Sequence, residues 1–170
     1  MPARTAAEAV EEYRTSAARA LSCVTGAHVD VGGGYAPSDI PHALVVAGGD
    51  PVALRGDSRL TLSVGEQYGV VDEGDNGWRV RISAYFYGIG QQRGAELITY
   101  HWHPQGRGMS AGPHLHVNAD VQVGTRWLGK VHLPTGPIAL QDVIALAIEE
   151  LDVMPLRDEW GQLLRETRHR

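Results

Sequence analysis

Apolar residues recur along this chain with two periods, and the change of period divides it. Over residues 3–22 an Ala- and Glu-rich stretch predicts a helix, with Val10, Tyr13, Ala17, Leu21 and Val24 at helical spacing and Gly26 as the stop. Residues 26–58 carry turn signals, "VGGGYAPSDIP" and "AGGDP", with "HALVVA" between them as a short strand. "RGD" at Arg55–Asp57 reads as a turn. From residue 59 the period becomes two. "RLTLSV" alternates, "DEGDNG" turns, and "WRVRISAYFY" (78–87) alternates again. That last strand puts Trp78, Val80, Ile82, Ala84 and Phe86 on one face and Arg79, Arg81, Ser83, Tyr85 and Tyr87 on the other.

After a "GIGQQRGA" loop, strands follow at 96–103 ("ELITYHWH") and 114–123 ("HLHVNADVQV"), and "RWLGKVHL" (126–133) reads as a last strand. "IALQDVIALAIEEL" is an amphipathic helix with Leu140, Val143, Ile144, Ala147 and Leu151 on one side, and "LRDEWGQLLRETRHR" a second, more polar one. The pattern predicts one α+β domain over residues 1–170. A helix and loop-rich region fill 1–58, an antiparallel sheet fills 59–133, and C-terminal helices fill 138–168. N- and C-terminal helices are expected on the sheet's apolar face.

Parity along the strands also sorts the histidines. Four of the chain's eight lie in "YHWHPQGRGMSAGPHLHV": His101 and His103, then His114 and His116. In both strands they fall opposite the aliphatic positions. A hairpin across residues 104–113 then makes a four-imidazole patch, and the simplest register pairs His103 with His114 and His101 with His116. Directly opposite Cβ atoms stand roughly 4.5–5.5 Å apart. A slip by one residue would expose the apolar face, so the face is better specified than the register. With the preceding strand alongside, Arg79, Arg81, Tyr85 and Tyr87 join the same face, beside Asn118, Asp120 and Gln122.

Three readings of this patch stand open. Imidazole is the commonest protein metal ligand, and three of them with an open position suit Zn²⁺ or another first-row ion, with His101, His103, His114 and His116 as ligands. Alternatively the four act as acid and base without metal, with Arg81 and Arg79 stabilising a developing anion. The third reading is a solvated sheet face that only holds structure or a partner. His132, near the end of the last strand with its parity open, is a candidate fifth ligand against the ordinary reading of a surface histidine. Arg107, in the loop between the two pairs, is placed to reach a phosphate. His28 and His42 lie in loops, and Cys23 reads as buried packing.

Known motifs discriminate by what is missing. A histidine-triad nucleotide hydrolase needs a histidine where Asn118 stands. A metallo-β-lactamase-type site needs an acid where Gln105 stands, and no phosphate-gripping Gly-rich loop with Lys-Ser/Thr is present.

Composition narrows the setting. With a single cysteine, the chain has no internal disulfide framework and no thiolate metal cluster. Lys130 is the only lysine, and the net charge is −5, which argues against a protein coating nucleic acid over its whole surface. No segment approaches the roughly 20 apolar residues of a membrane span, and the charged N-terminus does not read as a signal peptide. The expected location is cytoplasmic, with no membrane partner.

Leu97-Ile98-Thr99-Tyr100, His103, Pro113-His114-Leu115-His116 and then "LPTGPIALQDVIALAIEEL" form a pattern that resembles TumE-like toxins of bacterial toxin–antitoxin modules. The resemblance covers about residues 78–152. It departs where His101 and Trp102 replace the usual Asp-Asn and where Pro113 replaces the first histidine of the second cluster. It implies a small cytoplasmic protein acting on RNA, with a cognate antitoxin as partner. Together these readings give a histidine-dependent or metal-dependent hydrolase of phosphodiesters such as RNA. The alternative is a non-catalytic transition-metal-binding or protein-interaction module.

Overall fold

A computed structural model describes residues 3–33, 42–92, 96–105, 111–118, 122–123, 126–127 and 131–168. Helix α1 (Ala6–Leu21) starts where the Thr5 side chain accepts the Glu8 amide, capping one of its free donors. The helix buries Ala9, Val10, Tyr13, Ala17, Ala20 and Leu21. Strands follow at β1 (Val29–Gly32), β2 (His42–Val46), β3 (Val52–Ala53), β4 (Leu60–Asp72), β5 (Trp78–Gln91), β6 (Glu96–Trp102) and β7 (His114–Val117). Among the described residues, the two-residue strands β8 (Gln122–Val123) and β9 (Arg126–Trp127) pair with each other, and β10 (Leu133–Pro134) returns to the main sheet. Helices α2 (Leu140–Glu150) and α3 (Trp160–Thr167) close the chain. Among the described residues, no helix is long and apolar enough to cross a membrane.

The main sheet is antiparallel, in the order β1-β2-β4-β5-β6-β7-β10, with β3 also on β4. The fold class is therefore α+β, as the alternation predicts. Three strands, β1, β2 and β3, lie in the region that reads as loop-rich, and β2 is the expected "HALVVA" strand. β1 and β2 are short, and the glycines beside β1 mask its alternation. "RGD" is a turn: the Arg55 carbonyl accepts the Met154 amide at 2.8 Å, and a Cβ on Gly56 would lie 2.6 Å from the Asp152 carbonyl.

The α1 side of the sheet is the core. Leu60, Leu62, Val64, Glu66, Tyr68 and Val70 of β4 all face it and are buried. In β5 the straight alternation fails. Gln67 faces Ala84 while Tyr68 faces Ile82, so Ser83 is an extra residue. This β-bulge switches the faces of everything beyond it. Trp78, Val80 and Ile82 face the core before it; Tyr85, Tyr87 and Ile89 do so after it. Tyr85 and Tyr87 are thus core residues rather than part of the histidine face. Ala84 and Phe86 turn the other way.

One core group is ionisable. Glu66, opposite Tyr85 on β5, accepts hydrogen bonds from the Tyr13 hydroxyl of α1 and the Tyr87 hydroxyl of β5. Burial holds the Glu66 carboxyl above its usual range, against the pull of the two hydroxyls. The same carboxylate, with burial as the larger cause, raises both tyrosines. Glu66 thereby ties α1 to the sheet through Tyr13 and joins β4 to β5 through Tyr87.

Candidate metal centre

Strand pairing brings the histidines onto the face opposite the helices. His101 lies directly across from His114, and Thr99 from His116. The expected face is observed. The expected register, His103 with His114 and His101 with His116, is shifted by two residues. A two-residue shift keeps every side chain on its face, so hydrophobic patterning does not oppose it. β10 then lies beyond β7, with Leu133 across from Leu115 and Pro134 from His114. That pairing sets His132 beside His116, their ring centroids 4.6 Å apart.

The result is five imidazoles in one patch. His114 is at its centre and fully buried. Its ring is 5.6 Å from that of His101, 5.4 Å from His103, 5.0 Å from His116 and 4.8 Å from His132, centroid to centroid. The His114 Nδ1 lies 2.8 Å from the Gly112 carbonyl oxygen. A carbonyl only accepts, so Nδ1 is the protonated nitrogen and Nε2 carries the lone pair. That Nε2 is buried without a hydrogen-bond partner among the described residues. A metal-binding histidine is typically held this way, one nitrogen on a backbone carbonyl and the other toward the ion.

Ligand nitrogens of His114, His116 and His132 all lie within 4.8 Å of one another. Three nitrogens on a tetrahedral ion with bonds of about 2.0–2.1 Å stand roughly 3.3 Å apart. Small ring rotations close that gap, and His132, exposed at the sheet edge, has room to turn. His101 and His103 lie against this triad but outside it. Burial, then the neighbouring His116, His114, His103 and His132, lowers the His101 pKa to about 4. It therefore stays neutral beside the triad at neutral pH.

The two arginines expected here are elsewhere. Arg81 donates to Glu73 at 2.8 Å and Arg79 lies 3.7 Å from the same carboxylate, at the β4–β5 turn. They share the histidine side of the sheet, but Arg81 is five residues along β5 from Phe86, the residue facing His101. That is about 16 Å at the usual strand rise. Arg107 and Asp120 lie outside the described residues. His28 is exposed beside Asp30, and His42 is buried on the core face against Tyr68. The member that sequence reasoning underweights is His132. Its signal is parity: it alternates with Val131 and Leu133, but in a strand too short to fix a face. No family model matches the chain, and comparison with curated proteins and with solved structures found no match.

Proposed function

We propose that this protein is a metal-dependent hydrolase of phosphodiesters, with RNA as substrate, built around one first-row transition ion held by His114, His116 and His132. The observation that carries the reading is the buried Nε2 of His114, without a hydrogen-bond partner among the described residues, on a ring whose ligand atom lies within 4.8 Å of those of two more imidazoles. Leaving such an acceptor unsatisfied costs about 1–3 kcal/mol, which an ion in the triad offsets. An all-nitrogen triad suits Zn²⁺ best. Zinc there would supply a bound water with its pKa lowered to about 7 and would polarise a phosphoryl oxygen.

The surrounding residues fit that chemistry. His101 stays neutral, so it can accept a hydrogen bond from the attacking water without adding positive charge beside the ion. His103 is exposed on the outer side of the patch, where a substrate can reach it. With Arg79 and Arg81 turned to Glu73, charge stabilisation falls to the ion.

The test is cleavage of a mixed RNA pool by metal-stripped and zinc-reloaded protein. Reloaded wild type should cleave, with a rate that climbs as pH rises through about 7. His116→Ala should lose about 10²-fold or more. Equal background in both proteins, with and without zinc, would remove the nuclease activity and leave a metal-binding module.

A further inference from the structure

The face that carries the histidines continues across the sheet as a shallow groove of about 340 Å³, reaching from β2 to His101 and His103. Its cross-strand row reads Val45, Gly65, Phe86, His101. Gly65 is the gap in that row: a Cβ built there meets nothing within 4 Å. Strands are about 4.8 Å apart, so the backbones of Val45 and Phe86 stand roughly 10 Å from each other across the gap. Between their side chains there is room for one flat group. Phe86 forms one wall, with its ring held edge-on to His101 at 5.0 Å and lying over Gly88. In the next row the exposed Gln67 sits between strands, opposite Ala84. Its amide offers both a donor and an acceptor. Among the described residues that line the groove on this face, none is a lysine or an arginine.

We propose that the slot over Gly65 is a nucleobase subsite, in which a base of single-stranded RNA lies against Phe86 and its edge meets the Gln67 amide. The proposal rests on the phosphodiester reading of the histidine centre and supplies its substrate contact. A base is flat and uncharged and carries donors and acceptors on its edge, which is what this slot complements. Stacking on an aromatic ring is the usual means of holding an unpaired base. The slot is two strand spacings, about 10 Å, from His101. That separation places the base away from the reacting bond, so that base binding positions the backbone rather than taking part in the chemistry. The anionic backbone then lies toward the histidines.

The experiment is an NMR titration of metal-free protein with adenosine, uridine and ribose 5-phosphate. These nucleosides lack phosphate, so the outcome is readable whether or not zinc binds or RNA is cleaved. At least one nucleoside should shift the backbone amides of Gly65 and Ala84, and ribose 5-phosphate, which has no base, should not. Gly65→Val fills the slot where space is open, with a residue that suits a strand. It should weaken nucleoside binding by at least about tenfold, as should Gln67→Ala to a smaller degree. Gly69→Val adds the same side chain to the same face of β4, also in open space, and should leave binding unchanged. The proposal is overturned if neither nucleoside shifts the groove amides, if ribose 5-phosphate shifts them equally, or if Gly65→Val binds as wild type does.

Discussion

Zinc added to the metal-stripped protein should raise its melting temperature, and His132→Ala should remove most of that rise. At about 1,000 times its dissociation constant, a ligand that binds only the folded state adds about 4 kcal/mol. For a chain of this size that corresponds to roughly 8–16 °C. His132 is the informative ligand to remove because it is exposed immediately before the edge strand β10. Its loss should change the metal-free protein by no more than about 0.5 kcal/mol, so the missing shift reports the missing ligand. His114→Ala is a less clean test: the ring is fully buried, and its removal leaves a cavity as well. His28→Ala serves as control, since that ring is exposed beside Asp30 alone. A full zinc shift in His132→Ala would remove β10 from the centre.

The second large effect concerns Glu66. Its pKa is raised in the fold from an ordinary value of 4.5, so the folded chain holds this proton more tightly than the unfolded chain. The stabilisation is fully present below about pH 4.5 and is lost as pH rises toward the folded pKa. His101 acts in the opposite direction. Its lowered pKa makes the unfolded chain take up the proton first, so its contribution is lost as pH falls from 6.5 toward about 4. Comparing wild type with Glu66→Gln cancels the His101 part. Glu66→Gln should match wild type below pH 4.5 and gain on it steadily above. Glu66→Ala should lie about 2–5 kcal/mol below Glu66→Gln at every pH, because the Tyr13 and Tyr87 hydroxyls are left buried without their acceptor. Denaturant unfolding from pH 4 to 8 reads all three proteins. A constant difference between wild type and Glu66→Gln would mean that the carboxyl titrates alike in both states.

The strand faces were legible because burial enforces them. His101 and His103 alternate with Ile98, Tyr100 and Trp102, and His114 and His116 with Leu115 and Val117, and placing any of them inside would have expressed itself as a broken apolar stripe. The same rule places Glu66 inside: Leu60, Leu62, Val64, Tyr68 and Val70 share its parity. Register was not legible, since a two-residue slip between β6 and β7 costs no burial. The Ser83 bulge was not legible either, because "WRVRISAYFY" alternates without a break. The apolar set Tyr85, Tyr87 and Ile89 running on beyond it is the one trace of the switch. Arg79 and Arg81 followed the parity of the strand onto the histidine side, but position along the strand carried them to Glu73. His132 sits just before a pairing only two residues long, where neighbours rather than sequence decide which way a ring points.

The ligand set itself is read most directly by zinc X-ray absorption on loaded wild type, His132→Ala and His103→Ala. Wild type and His103→Ala should each show three imidazole nitrogens at about 2.0–2.1 Å with oxygen in the remaining position. His132→Ala should show two imidazoles or no bound zinc. Three imidazoles in His132→Ala, with one lost in His103→Ala, would contradict the centre on His114, His116 and His132.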